Sequence, residues 1–322
     1  MIPSRSPVAV ASRSFSRNAT LRRELAERYT DLRFNDTNRT LAGDELIELL
    51  RGCPKAITGL DILDERVFLA LPGLRVVSKY GVGLDMIDLA AARKFGVSIR
   101  WTPGVNCQAV AELTIGFMIA LCRRIVPLAG DLRHLQWQQP GGRQLSSAVV
   151  GVVGCGHVGR QVARLCRAFG AVVLAHDIRS YDEFYRLHEV APVPLPELLA
   201  QSDIVTVHVP LDSSTRGLIG AREIARMKST AFLINTARGG IVDEGALKTA
   251  LLRQQLAGAA FDVFTTEPPD DPELLSLPTF LGTPHIGAST SEAALAMGRA
   301  AIAGLDEGSG WIDLTAAGPS NP

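Results

Sequence analysis

Arg238, Glu267 and His285 are the residues of this 322-residue chain whose types best suit chemistry on a carbonyl beside a carboxylate. Each follows an apolar run that reads as a strand: residues 231–234 before Arg238, 256–263 before Glu267 and 280–281 before His285. In an open parallel sheet, ligands bind beyond the carboxyl ends of the strands. All three are therefore expected on one edge, where a cofactor would lie. Arginine offers a planar fork that pairs bidentately with a carboxylate. Histidine gives or takes a proton near neutral pH, which suits interconversion of a carbonyl and an alcohol. A carboxylate beside it would fix its tautomer and favour its protonated form. Singly, each has an ordinary explanation: a surface arginine, a turn glutamate, a satisfied core histidine.

The element that would bring a redox partner to that edge is the stretch 149–177. It opens with an uninterrupted apolar run, the pattern of a strand buried on both faces. Gly154, Gly156 and Gly159 follow at G-x-G-x-x-G spacing. Such glycines provide a tight turn, close backbone approach to a pyrophosphate, and close helix–strand packing. Residues 159–169 then place Val162, Ala163, Leu165, Cys166 and Phe169 on one helical face. The free N–H groups and dipole at that helix start would hold phosphates. A second apolar strand ends in Asp177, where a carboxylate can accept from a ribose 2′-hydroxyl. Cys155 lies between two of the glycines. A helix N-terminus would favour its thiolate, but a small residue that simply fits is the expected reading.

The length allows two domains of ordinary size. At 47% hydrophobic and 20% charged, the composition is that of a soluble globular protein. Formal net charge is zero, so nothing points to nucleic acid or an anionic membrane surface. No apolar run approaches membrane-spanning length. The five cysteines are an odd number without a C-x-x-C, which suggests reduced thiols in a cytoplasmic protein. Residues 1–7 lack an apolar h-region and are expected to be a loose tail.

Before residue 101 the chain alternates. Strands are expected at 8–11, 54–58, 74–78 and 97–100, and helices at 21–29, 44–51, 64–70 and 89–95. Alternation of this kind implies a parallel sheet. Residues 12–18 read as a loop, whose Arg13 would either meet an anionic substrate or be a solvated arginine. Gly81 and Gly83 could form a turn whose backbone N–H groups bind a carboxylate. Residues 106–124 read as a long helix, apolar nearly all round and therefore buried. Residues 125–145 suit a connecting arm, on which Trp137 could anchor a partner subunit. Beyond the glycine loop, 180–188 reads as irregular. Helices are expected at 196–201, 221–227, 243–253 and 291–305, with Asp243 as an N-cap. A strand at 204–210 leads into a loop with Asp212 and Thr215, and residues 308–322 are expected to fray.

With these pieces in place, the chain resembles a known family. Gly154-x-Gly156-x-x-Gly159, Asn235-Thr236-Ala237-Arg238-Gly239, Phe261-Asp262-Val263-Phe264-x-x-Glu267-Pro268 and Thr283-Pro284-His285-Ile286-Gly287 look like the D-isomer-specific 2-hydroxyacid dehydrogenases. Tyr80-Gly81-Val82-Gly83-Leu84-Asp85 and Val110-Ala111-Glu112-Leu113-Thr114 match as well. The likeness covers nearly the whole chain and is nearest the phosphoglycerate-dehydrogenase-like branch, without that branch's extra C-terminal domains. It implies an α/β fold of two Rossmann/flavodoxin-like parallel-sheet domains, the cofactor domain inserted in the substrate domain. The substrate domain would be residues 1–100 plus 289–322, and the NAD-binding domain 101–288.

The resemblance also implies roles. Arg238 would hold the substrate carboxylate, helped by the backbone of Val82 and Gly83. His285 would be the acid/base and Glu267 its partner. His157 and Val158, with the three glycines, would meet the pyrophosphate, and Asp177 the adenosine ribose. Val209, Thr236, Ala237 and Asp262 would line the nicotinamide side, with further cofactor contacts from Thr215, His285 and Gly287. A homodimer would form through the segment near 123–145. Two departures stand out. Phosphoglycerate-specific members tend to carry a basic residue where this chain has Gly59-Leu60-Asp61, unless Lys79 or Arg13 supplies the charge. Arg179 could meet a 2′-phosphate, but Asp177 would repel it, so NAD is expected rather than NADP. The expected function is NAD-dependent interconversion of a 2-oxo acid and a D-2-hydroxy acid. The rivals are an NAD(H)-sensing, corepressor-like scaffold and a formate- or phosphite-type dehydrogenase.

Overall fold

The computed structural model describes residues 4–306, 308 and 310–315. Parts of both expected tails, 1–7 and 308–322, lie outside these residues. The chain forms two compact units, one running to Asn106 and resuming at Thr290, the other spanning Cys107–Ser289.

The first unit holds β1 (Val8–Val10), β2 (Leu32–Phe34), β3 (Lys55–Thr58), β4 (Val76–Lys79) and β5 (Ser98–Trp101). The second holds β6 (Val149–Val153), β7 (Val172–His176), β8 (Val190–Pro192), β9 (Ile204–Val207), β10 (Phe232–Asn235), β11 (Gly258–Phe261) and β12 (Phe280–Gly282). A last strand, β13 (Ile312–Asp313), returns to the first unit and pairs antiparallel with β5. That pairing replaces part of the frayed end expected from the small polar residues around it.

The sheet of the first unit has the order β13-β5-β4-β3-β1-β2, which places a flavodoxin-type switch point between β1 and β3. The second sheet runs β12-β11-β10-β9-β6-β7-β8, the Rossmann order with its switch between β6 and β9. Apart from β13, all pairs are parallel. Parallel strands covered on both faces must be apolar throughout, and β9, β10 and β11 are buried at every position. Buried clusters pack on both faces of the second sheet.

Register decides where the chemistry sits. Val153 pairs with His176 and Val207, Val207 with Asn235, Asn235 with Phe261, and Phe261 with Gly282. Gly154, Asp177, His208, Thr236, Asp262 and Thr283 are thus each the first residue past a strand, in a row along one edge.

Several segments differ from expectation. Residues 12–18 contain the short helix Arg13–Ser16. The next helix is Ala19–Ala26, not 21–29, because Asn18 caps it: its side chain accepts from Leu21 N at 3.1 Å. Residues 180–188, expected to be irregular, form the helix Asp182–Leu187 around buried Tyr185. The arm is helical at Ile125–Arg133 yet buries no residue. The long helix Cys107–Arg123 buries one face, while Glu112 and Gly116 stay exposed. Edge strands β2 and β8 run only three residues each and the helix Pro272–Ser276 five, too short for a periodic pattern to stand out.

Candidate active site

The glycine loop is built by contact, not only by conformation. Gly154 adopts φ +93°, and a β-carbon there would lie 2.8 Å from the His208 carbonyl carbon and from Val209 Cγ1. A β-carbon on Gly159 would sit 1.8 Å from Gly154 O. Gly156 is the opposite case: nothing lies within 4 Å of its β-carbon position. It is also the N-cap of the helix His157–Ala168, where no side chain caps the first N–H groups. Uncapped amides and a bare α-carbon facing open space fit a pyrophosphate at the positive end of the dipole. His157 and Val158 are the first residues of that helix. Asp177 Oδ2 accepts from Cys155 N at 2.5 Å and its Oδ1 from Arg179 N at 2.8 Å, so the acid is tied to the loop. Cys155 is fully buried and burial pushes its thiol up to about 11. A buried thiol with a raised pKa favours the small-residue reading.

The loop after β10 hangs on Asn235, fully buried at the strand's last position. Its Nδ2 donates to Arg238 O at 2.8 Å, and its Oδ1 accepts from Ala237 N at 3.1 Å. Thr236 and Thr114 share a hydroxyl hydrogen bond of 2.9 Å that pins the loop to the long helix Cys107–Arg123. Arg238 Nη1 donates to Ala237 O at 2.7 Å. A β-carbon on Gly239 would fall 2.0 Å from the Phe264 carbonyl, so only glycine lets the arginine loop press on the backbone that leads to Glu267. Glu244 Oε1 accepts from both Thr265 N and Oγ1 at 2.7 Å, which steadies the same turn.

Glu267 Oε1 accepts from Phe264 N at 3.1 Å, and its Oε2 lies 2.8 Å from His285 Nδ1. The two side chains are 37% and 36% exposed, so the outer nitrogen of the imidazole stays reachable. Burial works against the Glu267 charge. The His285 hydrogen bond and charge, the Phe264 amide and the Arg238 charge outweigh it and hold the carboxyl below the ordinary glutamate range. His285 itself is left-handed, with φ +53°. Such backbone costs about 1–3 kcal/mol and persists only where the surroundings enforce it. Here Asp262 enforces it. Asp262 O accepts from His285 N at 2.8 Å. Its carboxylate, 1% exposed, accepts from Thr283 Oγ1 at 2.5 Å, Ile286 N at 2.8 Å and Gly287 N at 2.7 Å.

The row therefore brings together the glycine loop, Asp177, Thr236, Ala237, Arg238, Asp262, Glu267, His285 and Gly287. Val209 adjoins Gly154, as above. The Thr215 hydroxyl is committed to its own loop, donating to Pro210 O at 2.6 Å and accepting from Asp212 N at 2.9 Å. Val82 and Gly83 belong to the other unit, in the turn after β4, where Gly81 has φ +107° and Val82 O accepts from Trp101 Nε1 at 3.1 Å. Lys79 is 4% exposed and donates to Gly59 O and, at 3.3 Å, to Tyr80 O. It braces that turn and is not placed to offer its charge at the surface.

Sequence reasoning missed Asn235, Thr114, Gly239 and Glu244 as positioning residues, and His208 altogether. The signal for Asn235 was present: a polar residue closing an apolar strand must satisfy its amide inside. His208 Nε2 lies 2.9 Å from Thr206 Oγ1, while Nδ1 is buried without a partner, and burial pushes the imidazole down to about 3. Among the described residues, no cluster of His, Cys, Asp or Glu could hold a metal ion. None of their helices is long and apolar enough to cross a membrane.

Residues 115–287 match the profile of the D-isomer specific 2-hydroxyacid dehydrogenase NAD binding domain. The chain is similar to a glyoxylate reductase of Korarchaeum cryptofilum, 38% identical over 256 residues, 77% of each chain. It is 40% identical to a D-3-phosphoglycerate dehydrogenase of Methanocaldococcus jannaschii over 70% of this chain, but the match spans only 44% of that protein's length. Among solved structures, a D-lactate dehydrogenase from Aquifex aeolicus complexed with NAD and lactic acid aligns with a TM-score of 0.81 and 25% identity, covering 92% of this chain and 93% of that one.

Proposed function

The chain belongs to the D-isomer-specific 2-hydroxyacid dehydrogenase family, as an oxidoreductase with that family's NAD-binding domain, and we propose that it interconverts a 2-oxo acid and a D-2-hydroxy acid in the manner of the phosphoglycerate-dehydrogenase-like branch. The observation that carries this reading is the Glu267–His285 pair at 2.8 Å, held by Asp262 beside the Arg238 loop.

The nicotinamide, when bound, supplies or accepts the hydride at C2. The helix start at Gly156–Gly159 would hold the pyrophosphate and Asp177 the ribose. Arg238 would fork the substrate carboxylate; within the first unit, the turn of Val82 and Gly83 has backbone N–H groups suited to a carboxylate. Glu267 keeps a proton on His285 Nδ1, so that in reduction Nε2 gives its proton to the oxygen developing negative charge on C2. In oxidation the same nitrogen takes it back. The test is NADH oxidation across phosphohydroxypyruvate, hydroxypyruvate, glyoxylate and pyruvate. Turnover on one of them supports the reading. Tight NADH binding with no turnover on any would favour a nucleotide-sensing scaffold instead.

We further propose a cytoplasmic homodimer through the arm. Ile125, Val126, Leu132, Leu135 and Trp137, five large apolar residues within thirteen positions of the arm, are 49–92% exposed, and a partner subunit would cover them. Light scattering of wild type and a Leu135→Lys/Trp137→Lys variant tests it: the dimer should weaken while NADH binding persists.

A further inference from the structure

We propose that Arg13, Ser14, Arg17 and Asn38, in the first unit, form a binding site for a phosphate-sized oxyanion. These four residues, all exposed, line an open surface cavity of about 400 Å³. It lies beyond the carboxyl ends of β1 and β2, on the edge where open α/β sheets bind ligands and beside the switch point between β1 and β3. Arg13 and Arg17 stand four residues apart, joined by the helical bond from Arg17 N to Arg13 O at 3.1 Å, so their side chains share a face. Two like charges at that spacing repel each other. Elsewhere in the same unit, Arg22, Arg39, Arg51, Arg66 and Arg299 each meet a carboxylate at 2.5–3.0 Å. Among the described residues Arg13 and Arg17 meet none; Arg33, Arg75 and Arg93 also lack one but donate to carbonyl oxygens, whereas Arg13 and Arg17 share a face beside the cavity. What would neutralise them is a ligand of opposite charge, and a planar guanidinium fork matches a tetrahedral oxyanion.

The surroundings are built to hold the forks still. Arg17 Nη1 donates to Asn38 Oδ1 at 2.9 Å, which orients that guanidinium and leaves its other donors. Asn38, with φ +62°, is presented by a loop folded on Asn35, which is 2% exposed. Asn35 Nδ2 donates to Ala11 O and Arg39 O, both at 2.8 Å, and its Oδ1 accepts from Thr37 Oγ1 at 2.6 Å. On the other side, Gly59 packs so close that a β-carbon would lie 2.9 Å from Ser12 Oγ, next to Arg13. Asp61, 1% exposed, holds that glycine through a 2.9 Å bond from Gly59 N. Asp61 faces inward, and the cationic charge of this edge comes from the helix after β1.

The anion could be free phosphate or the phosphate tail of a substrate, and the experiment separates them. Inorganic phosphate is titrated into the full chain by calorimetry, with saturating NADH to occupy the glycine loop and chloride to match ionic strength. The comparison is wild type, Arg13→Gln/Arg17→Gln, and Arg51→Gln/Arg66→Gln as a charge-matched control in the same unit. Saturable binding that weakens at least about tenfold only in the double variant supports the site. Equal binding in all three, or none in wild type, overturns it. NADH oxidation then assigns the source, and only this arm rests on the reductase reading. A selective rise in KM for phosphohydroxypyruvate over hydroxypyruvate identifies a substrate tail. Loss of phosphate binding with both KM values unchanged identifies free phosphate. Circular dichroism confirms that each variant is folded.

Discussion

The carboxyl edges of the two sheets share a topology but not a chemistry. Between β6 and β9 the chain presents backbone: glycines pressed on neighbouring main chain, uncapped helix amides, and buried Asp262 and Asn235 that fix the loops carrying Arg238 and His285. Beyond β1 it presents long side chains: Arg13 and Arg17 on a helix of four residues. A twelve-residue helix has a sizeable dipole and uncapped N–H groups to offer a cofactor. A four-residue helix has only a small dipole, and the Ser12 side chain already accepts from its Phe15 N, so charge bound there is met chiefly by guanidinium forks. The same architecture can recognise an invariant cofactor with main chain and a variable ligand with side chains.

The largest expected effect tests whether the second unit's edge is the reacting one. His285→Ala should cut turnover on the best substrate by about a hundredfold or more, because no other group is held there to pass the proton. Arg238→Ala should do as much through lost carboxylate positioning. NADH affinity should hold in both, measured by fluorescence titration. Near-normal turnover in either variant would remove the site from that edge. Acid should act on the same pair. Glu267 ionises below the ordinary glutamate range in the folded protein, so turnover should persist down to mildly acidic pH and fall once pH drops through that lowered value.

Next is a contrast between glycines of one loop. Gly159→Ala places a β-carbon 1.8 Å from Gly154 O and should cost about 2–3 kcal/mol of stability, read as a lower urea midpoint. Gly156→Ala meets no atom within 4 Å and should leave the midpoint unchanged while weakening NADH binding. If both variants lose stability equally, the open face at Gly156 is structural and the pyrophosphate reading fails.

How much of this was legible beforehand follows the same divide. Gly154, Gly156, Gly159 and Asp177 were readable because local spacing encodes local geometry. Arg238, Glu267 and His285 were readable as a set because each closes an apolar strand. The 2.8 Å pairing of Glu267 with His285 was not, since it joins two turns through Asp262, and no periodicity reports on that. The helix Asp182–Leu187 was hidden by its charged face, and edge strands β2 and β8 by lacking a second buried face. Lys79 illustrates the limit: its type suggested a substrate charge, but burial turned it inward onto carbonyls.

A smaller effect concerns His208, which joins β9 to the glycine loop. Its imidazole is held neutral by burial, with a folded pKa of about 3, whereas the unfolded chain protonates near 6.5. Between those values the unfolded state binds the extra proton. Stability should therefore fall as pH drops from about 6.5 toward 3, by about 1.4 kcal/mol per pH unit from this group at most. His208→Gln should flatten that slope in urea titrations at each pH. An unchanged slope would mean the ring titrates freely and does not brace the edge.

The smallest expected effect probes the first unit's edge without touching a charge. Gly59→Ala would put a β-carbon 2.9 Å from Ser12 Oγ and 3.1 Å from Ser12 Cβ, so Ser12 must shift by a few tenths of an ångström, at a cost of about 1 kcal/mol. The displaced Ser12 carries Arg13 with it. If the guanidinium pair works as a preorganised site, phosphate affinity should drop several-fold although both arginines remain and NADH binding is untouched. If affinity is unmoved, the forks bind by charge alone, and the contrast between a rigid cofactor edge and a rigid side-chain edge reduces to one between rigid and flexible.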